Sequence, residues 1–194
     1  FRGLREALNL SWDDFIRTSD QTRHFPGAQK LWNALAANGD LYKKVYRGLY
    51  CVGHEAFVTE KDLDPPTSGG ICRDHQKAPE VVEEENWFFR LSKYSKIIQQ
   101  KILSDELRIV PESRKNEILA LLNDGLEDVS FSRPSKDLSW GVPVPGDATQ
   151  TMYVWADALA NYISSLGYGG VNESLLKKYW PADAQIIGKD NLRF

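Results

Sequence analysis

Four residues of types that commonly bind metal occur in two pairs with the same spacing. Two residues separate Cys51 from His54, and after a further 17 residues Cys72 and His75 repeat the arrangement. Thiolate and imidazole are the ligands of tetrahedral structural zinc sites, and a two-residue gap lets a tight turn bring both members of a pair to one ion. The sequence therefore predicts a Zn²⁺ site formed by Cys51, His54, Cys72 and His75.

Two other interpretations of these residues stay open. The cysteines could form a disulfide, or they could be unligated buried thiols accompanied by surface histidines. The zinc prediction accounts for both cysteines and for two of the three histidines of the chain. The remaining histidine, His24, is expected to be an ordinary surface or packing residue.

A second group of candidates follows two short apolar runs near the carboxyl terminus. Residues 151–155 run into Asp157, and residues 184–187 run into Gly188 and Asp190. Each run is predicted to be a strand, and the stretch between them has room for a helical crossover, as in a βαβ unit. Because ligands bind at the carboxyl ends of parallel strands, Trp155, Asp157, Gly188 and Asp190 are candidate site residues. The alternatives are a core aromatic for Trp155 and a surface turn for residues 188–190.

The elements that position these groups are predicted from local patterns. Residues 1–46 are expected to be helical, with a break at 25–27 before a helix over 28–37 that ends at Gly39. A loop-rich insert follows over residues 50–79. A helix is predicted from Trp87 through Ile102, preceded by acidic residues that suit its dipole, and another from Pro111 through Leu122.

Composition limits the classes of function without choosing one. The 194 residues carry 24 basic and 27 acidic side chains, for a formal charge of −3. Since there is no bulk basic excess, any nucleic-acid contact is expected to be local. No apolar run reaches membrane-spanning length, so no membrane association is expected. The chain begins at Phe1 without an initiator methionine or a signal-peptide core, and we expect it to be an internal piece of a longer polypeptide.

Several ordered motifs resemble one family. The chain is similar to the middle portion of the methionyl-tRNA synthetases, which are class I aminoacyl-tRNA ligases. The resemblance covers almost the whole chain, and its motifs are residues 13–18, 48–51, 86–91, 130–133, 140–147, 153–162 and 187–190. His54 stands where many zinc-bearing members have cysteine, and Asn191 stands where isoleucine is usual.

The resemblance implies roles for residues around the predicted strand ends. Trp155, Ala158, Leu159 and Tyr162 would line a methionine pocket, where shape and sulfur–aromatic contacts select a thioether. Gly188, Asp190 and Arg133 would lie on the ATP side, with Lys189 as a weaker candidate. The Cys/His insert would position the tRNA acceptor end, and its alternative role is to stabilise the fold.

The implied architecture is α/β, a partial Rossmann-type parallel sheet with an inserted zinc-knuckle-like module and flanking helices. Residues 1–46 would end the first Rossmann half, 47–127 would form the connective insertion, and 128–194 would begin the second half. The implied activity joins methionine to tRNA(Met) through methionyl-adenylate, using ATP with Mg²⁺, in the cytoplasm or an organelle.

The chain lacks the family's two ATP-signature elements, of the His-Ile-Gly-His and Lys-Met-Ser-Lys-Ser types, so we expect it to be inactive by itself. Three other functions stay open. The chain could belong to a non-catalytic synthetase-like module that binds a ligand or RNA, to an independent zinc-bearing interaction domain, or to a related enzyme for another apolar amino acid.

Overall fold

The computed structural model describes residues 3–54, 56–67, 69–188 and 191. The helices are α1 (Leu4–Ala7), α2 (Phe25–Ala37), α3 (Ser95–Leu103), α4 (Glu112–Asp124), α5 (Val154–Leu159), α6 (Asn161–Ser164) and α7 (Ser174–Tyr179). The strands are β1 (Leu41–Cys51), β2 (Ala56–Val58), β3 (Leu63–Asp64), β4 (Ile71–Cys72), β5 (Glu80–Phe89), β6 (Val129–Ser130), β7 (Ser132–Pro134) and β8 (Gln150–Met152). Within the described ranges, no helix combines the length and the apolar character that a membrane crossing requires.

A long antiparallel ribbon forms the middle of the fold. Strands β1 and β5 pair over ten residues, from Leu41 opposite Phe89 to Tyr50 opposite Glu80, and the sheet order is β2-β1-β5-β6. Opposite charges face each other across the ribbon, as at Arg47 and Glu83. The ribbon therefore connects the main core at one end to the Cys/His insert at the other.

The main core gathers segments that are far apart in the sequence. Its buried residues are Ala28, Trp32, Leu41, Val142, Val144, Met152 and Ala160. Two stacked contacts extend it, with the ring of Phe131 lying 6.2 Å from Trp32 and 5.0 Å from Phe89 between centroids. Ser132 adds a polar connection, because its buried hydroxyl accepts the Trp87 N–H at 2.8 Å. Helix α2 is thereby held against β5, β7 and β8.

Two smaller apolar clusters lie outside this core. Ile102, Ile118 and Leu122 join α3 to α4. Leu63 packs with Cys51 and Cys72 in the insert. The insert thus has very little apolar core of its own.

Several local predictions are confirmed. Helix α2 ends before Gly39, whose φ of 73° lies in the left-handed region that glycine adopts easily. Helix α4 begins directly after Pro111 and buries Ile118 and Leu122.

The helix predicted from Trp87 is wrong at its beginning. Residues 80–89 form strand β5, a short 3₁₀ turn follows at Leu91–Tyr94, and the helix begins only at Ser95. Asn86 and Phe88 are buried while their neighbours are less so, which is the two-residue period of a strand. The acidic residues before Trp87 face the basic β1 strand instead of a helix terminus. The helical prediction for 1–46 holds only over α1 and α2, because residues 8–24 contain no helix and residues 41–46 begin β1.

The βαβ unit predicted over residues 151–187 is not formed among the described residues: α5, α6 and α7 follow β8, but no second strand does. Strand β8 stops at Met152, and Trp155 lies in α5. Residues 184–187 have no regular secondary structure, and Ile186 is 97% exposed. All strand pairs among the described residues are antiparallel, so the mixture of helices and strands is confirmed but a parallel sheet is not formed there. The three-part division at 46/47 and 127/128 stays a prediction, and β1 crosses its first boundary.

One buried carboxylate connects the end of α2 to the turn after β5. Asp40 is 0% exposed, and it accepts hydrogen bonds from Lys93 Nζ and Tyr94 Oη, each at 2.6 Å. The hydrogen bond from Lys93, followed by that from Tyr94, lowers the pKa of Asp40 from 3.8 to about 2. Because the native carboxyl resists protonation more than the unfolded one, its contribution to stability is complete above about pH 4 and is lost as the pH falls toward 2.

We expect Asp40→Asn to lower the free energy of unfolding by about 2 kcal/mol at neutral pH, because the amide removes the charge that Lys93, Tyr94 and Asn38 all bond. Urea denaturation measures the loss, which should shrink as the pH falls toward 2. The control is Asp105→Asn, at an exposed residue paired with Lys115 at 2.7 Å. Its φ of 56° suits asparagine, and the expected loss of stability is much smaller than that of Asp40→Asn. Equal losses in the two variants would contradict the role of Asp40.

Candidate metal centre and aromatic cavity

The four predicted metal ligands lie together. One ligand atom from each of Cys51, His54, Cys72 and His75 is within 4.8 Å of all the others. Three sulfur–nitrogen distances are 3.6 Å: Cys51 Sγ to His75 Nδ1, and Cys72 Sγ to Nδ1 of His54 and of His75. With Zn–S near 2.3 Å and Zn–N near 2.05 Å, a tetrahedral site has a sulfur–nitrogen edge of about 3.6 Å. The cluster therefore has the dimensions of a tetrahedral zinc site.

Two hairpins supply the ligands. Cys51 ends β1, and His54 lies in the turn that follows. Cys72 ends β4, and His75 lies in the turn after β4. The turn after β1 requires glycine at position 53, because a Cβ there would lie 2.4 Å from the His75 ring. Both cysteines are buried free thiols, so the disulfide alternative is not what the structure shows.

The surroundings of Cys51 favour a thiolate. Burial opposes ionisation, but hydrogen bonds from the His54 and Gly53 amides and the neighbouring Cys72 outweigh it and lower the pKa of the Cys51 thiol to about 6. Thiolate is the form of cysteine that binds metal. The local backbone therefore prepares the ligand for a cation.

Asp74 is a further residue of this cluster that the sequence reasoning missed. Its Oδ2 lies 3.0 Å from His54 Nε2, on the side of the ring away from the sulfur atoms. A carboxylate in this position accepts the Nε2–H and leaves Nδ1 deprotonated toward the metal. The available signal was a carboxylate beside a ligand, within Cys72-Arg73-Asp74-His75.

An apolar cavity of about 240 Å³ lies between α2 and α5. Its lining comprises Ala28, Leu31, Trp32, Leu35, Phe89, Phe131, Met152, Trp155, Ala156 and Leu159. Of the four predicted methionine-side residues, Trp155 and Leu159 line it. Ala158 and Tyr162 are half-buried on the same helical stretch but are not part of this lining. A space of this size and character accommodates a small apolar side chain.

The position of α5 follows from the strands before it. The Tyr153 N–H donates to the Phe131 carbonyl at 2.8 Å, which ties the start of α5 to the chain between β6 and β7. Met152 and Ala160 on either side of the helix are in the main core. Trp155 is therefore held at the cavity by a fixed backbone.

A buried polar group lies on another side of α5. His24 is fully buried and shares a hydrogen bond of 2.8 Å between its Nδ1 and Ser164 Oγ, which confirms it as a packing residue. Asp157 is also buried, and burial raises the pKa of its carboxyl to about 7. Asp157 is thus in the interior and does not line the cavity with Trp155.

Arg133 lies in β7, outside the cavity lining. Its guanidinium carbon is 4.2 Å from the centroid of Tyr153 and 5.7 Å from that of Phe57. Its Nη1 donates to Ser130 Oγ and to the Ser132 carbonyl, both at 2.8 Å. The aromatic contact with Phe57 was not foreseen from the sequence.

The remaining ATP-side candidates belong to the carboxyl-terminal segment. Gly188 is exposed, and its carbonyl accepts the Asn191 N–H at 3.0 Å. Lys189 and Asp190 lie outside the described residues. The structure therefore brings together the metal ligands, and separately Trp155 with Leu159, while the ATP-side set is not assembled among the described residues.

Comparison with known proteins identifies the family. A family model described as tRNA synthetases class I (M) matches residues 1–72 and 61–194. The methionine–tRNA ligases of Brucella suis biovar 1 and Clostridium perfringens are each 45% identical over 194 residues, which is 100% of this chain. The chain spans 37% and 29% of the lengths of these two relatives.

Solved structures agree over nearly the whole chain. Mycobacterium tuberculosis methionyl-tRNA synthetase in complex with methionyl-adenylate gives a TM-score of 0.85 at 38% identity, covering 99% of this chain and 37% of that one. The apo form of the Mycobacterium tuberculosis enzyme gives 0.83 at 38% identity, covering 99% and 38%. These matches confirm the resemblance and the α/β class inferred from the sequence. The chain belongs to the family of class I tRNA synthetases (M).

Proposed function

We propose that the protein containing this chain is a methionine–tRNA ligase. It would activate methionine with ATP and Mg²⁺ to methionyl-adenylate and transfer it to tRNA(Met), as part of protein synthesis in the cytoplasm or, alternatively, an organelle. The supporting observation is the fold match over 99% of the chain to a synthetase in complex with methionyl-adenylate. Since the chain spans 37% of that protein, it would supply only part of the active site.

The contribution to amino-acid selection would come from α5 and the turn after it. A thioether offers no charge and only weak hydrogen-bonding capacity, so a site for it must select by shape and by contacts with aromatic rings. Trp155 and Leu159 supply such a surface at the cavity, with Ala158 and Tyr162 on the same stretch. We propose these four residues as the methionine side.

The ATP side would use Arg133 together with Gly188, Lys189 and Asp190. A guanidinium stabilises negative charge on phosphate, glycine allows close approach of the backbone, and a carboxylate accepts ribose hydroxyl groups. Tyr153 directly precedes α5, two residues before Trp155, and the Arg133 guanidinium carbon lies 4.2 Å from the centroid of its ring. This proximity supports Arg133 as a neighbour of the amino-acid site.

Trp155→Ala should raise the KM for methionine at least about tenfold, since it removes the large ring from the apolar surface that would contact the thioether. The measurement is amino-acid-dependent ATP–pyrophosphate exchange by the full-length protein, with each of the twenty amino acids tested.

The matched control is Trp140→Ala, because Trp140 is 73% exposed and its loss should leave the exchange unchanged. Exchange with an amino acid other than methionine would reject the assigned specificity. Absence of exchange with every amino acid would favour a non-catalytic module that binds a ligand or RNA.

We also propose that Cys51, His54, Cys72 and His75 hold a structural Zn²⁺. The donor set and the 3.6 Å sulfur–nitrogen edges support this proposal. A structural ion would stabilise the insert, where the apolar cluster buried among the described residues consists of Leu63 and the two cysteines. The insert would then present a defined surface for the tRNA acceptor end.

Protein purified without chelator should contain about one zinc per chain. Cys51→Ser and Cys72→Ser should each remove the metal, since serine is a poor zinc ligand, and should increase proteolytic cleavage within residues 47–80. Elemental analysis and limited proteolysis measure the two effects. A metal-free protein whose cleavage is unaffected by both substitutions would reject the zinc site.

Asp74→Ala should weaken zinc binding about tenfold to a hundredfold, because His54 would lose the acceptor that fixes its tautomer. Competition with a chromophoric chelator measures the affinity. The zinc affinity of Asp74→Asn should lie between those of the unaltered protein and Asp74→Ala, since the amide oxygen of asparagine still accepts a hydrogen bond.

The control is Asp64→Asn, which removes a negative charge from the same insert at the β3 strand. Equal weakening by Asp64→Asn and Asp74→Ala would show that charge alone matters, and the hydrogen bond to His54 would be rejected as the cause.

A further inference from the structure

The guanidinium of Arg133 contacts two aromatic rings that belong to different parts of the fold. Tyr153 immediately precedes α5, and its ring centroid is 4.2 Å from the guanidinium carbon. Phe57 lies in β2, and its ring centroid is 5.7 Å from the same carbon. Both distances are within the range at which a cation is attracted by an aromatic face.

The second ring is part of the hairpin that carries two metal ligands. Strands β1 and β2 pair with Tyr50 opposite Phe57 and Cys51 opposite Ala56. The rings of Tyr50 and Phe57 also meet edge to face, with centroids 5.4 Å apart. The position of Phe57 is therefore fixed by the same strand pair that fixes Cys51.

Hydrogen bonds also hold the Arg133 guanidinium. Its Nη1 donates to Ser130 Oγ and to the Ser132 carbonyl. Those bonds hold Nη1 at β6 and β7, and the two rings add cation–π contacts to the same guanidinium. Loss of either ring would give the guanidinium more freedom to rotate.

We infer that Phe57 is a positioning residue for adenylate formation, because it holds the Arg133 guanidinium against Tyr153 beside the amino-terminal end of α5. This inference rests on the proposed function, in which Arg133 contributes positive charge on the ATP side. It gives the hairpin a role in the activation of the amino acid as well as at the tRNA. Metal binding at Cys51 would then affect adenylate formation, because the β1–β2 pair that holds Cys51 also positions Phe57 against Arg133.

The test compares ATP–pyrophosphate exchange by the full-length protein with that of Phe57→Leu and Phe57→Tyr. Leucine keeps the apolar bulk without an aromatic face, whereas tyrosine keeps the ring. We expect Phe57→Leu to lower kcat/KM for ATP about threefold to tenfold and to leave the KM for methionine within about twofold. Phe57→Tyr should restore the value for ATP.

A double-mutant cycle with Arg133→Lys identifies the partner. If Phe57 acts through the guanidinium, Phe57→Leu should cause little further loss once Arg133 is lysine, which cannot form the same flat contact. An equal fold-loss in both backgrounds would overturn the inference, and so would an unchanged kcat/KM in Phe57→Leu.

The matched control is Val58→Ala. Successive strand residues point to opposite faces, and Val58 packs against the cluster of Cys51, Leu63 and Cys72. This substitution should loosen the hairpin core without touching the Arg133 contact, so kcat/KM for ATP should stay unchanged at equal zinc content. A loss equal to that of Phe57→Leu would assign the effect to general loosening and overturn the inference.

Failure of the proposed function gives a different result. It would appear as absence of methionine-dependent exchange in the unaltered protein. The coupling between Phe57 and Arg133 would then be measured by the same cycle in thermal unfolding, where additive changes would reject the contact itself.

Discussion

Contacts among three rings hold this chain together. Phe131 stacks on Trp32 from α2 on one side and on Phe89 from β5 on the other. The same residue joins β8 to the chain before β7, because its carbonyl accepts the Tyr153 N–H and its own N–H donates to the Trp87 carbonyl. The Phe131 ring therefore contributes to holding the long ribbon, α2 and the short α5 together, and residues of all three line the cavity beside Trp155.

The described part of the insert lacks such a packed aromatic core, and the proposed Zn²⁺ site would stabilise it by metal coordination instead. It has few apolar residues, and its fully buried set is Leu63 with the two cysteines. A cluster of this size cannot offset the conformational entropy of ordering the surrounding turns. The proposed Zn²⁺ would supply a short-range, directional attraction that does not depend on buried area. This would account for the regular spacing of the four candidate ligands in a segment that otherwise looks irregular.

The sequence predicted features that depend on neighbouring residues. The end of α2 before Gly39, the start of α4 after Pro111 and the grouping of the four Cys and His side chains all follow from short spacings in the sequence. The run from Trp87 resembles a helix because Ile98 and Ile102 continue its apolar stripe and acidic residues precede it. Its strand conformation is imposed by pairing with β1, more than thirty residues earlier, and no local pattern encodes that partner.

The candidate site was predicted in part for the same reason. Trp155 and Leu159 were identified through motif resemblance, although the local apolar run favoured a strand where the structure has the start of α5. The contact of Arg133 with Phe57 joins residues of two separate hairpins. It exists only after the ribbon has folded back on β7, so sequence spacing carries no signal for it.

The length of β1 has a mechanical consequence. Its eleven residues extend about 36 Å at roughly 3.3 Å per residue, with the core at the Leu41 end and Cys51 at the other. A rotation of only about 5° at the core end displaces the tip of such an arm by about 3 Å. Small changes in the direction of β1 near Leu41 are therefore amplified at Cys51. A contact near the Cys51 end of the strand limits this displacement more than a contact near Leu41 does.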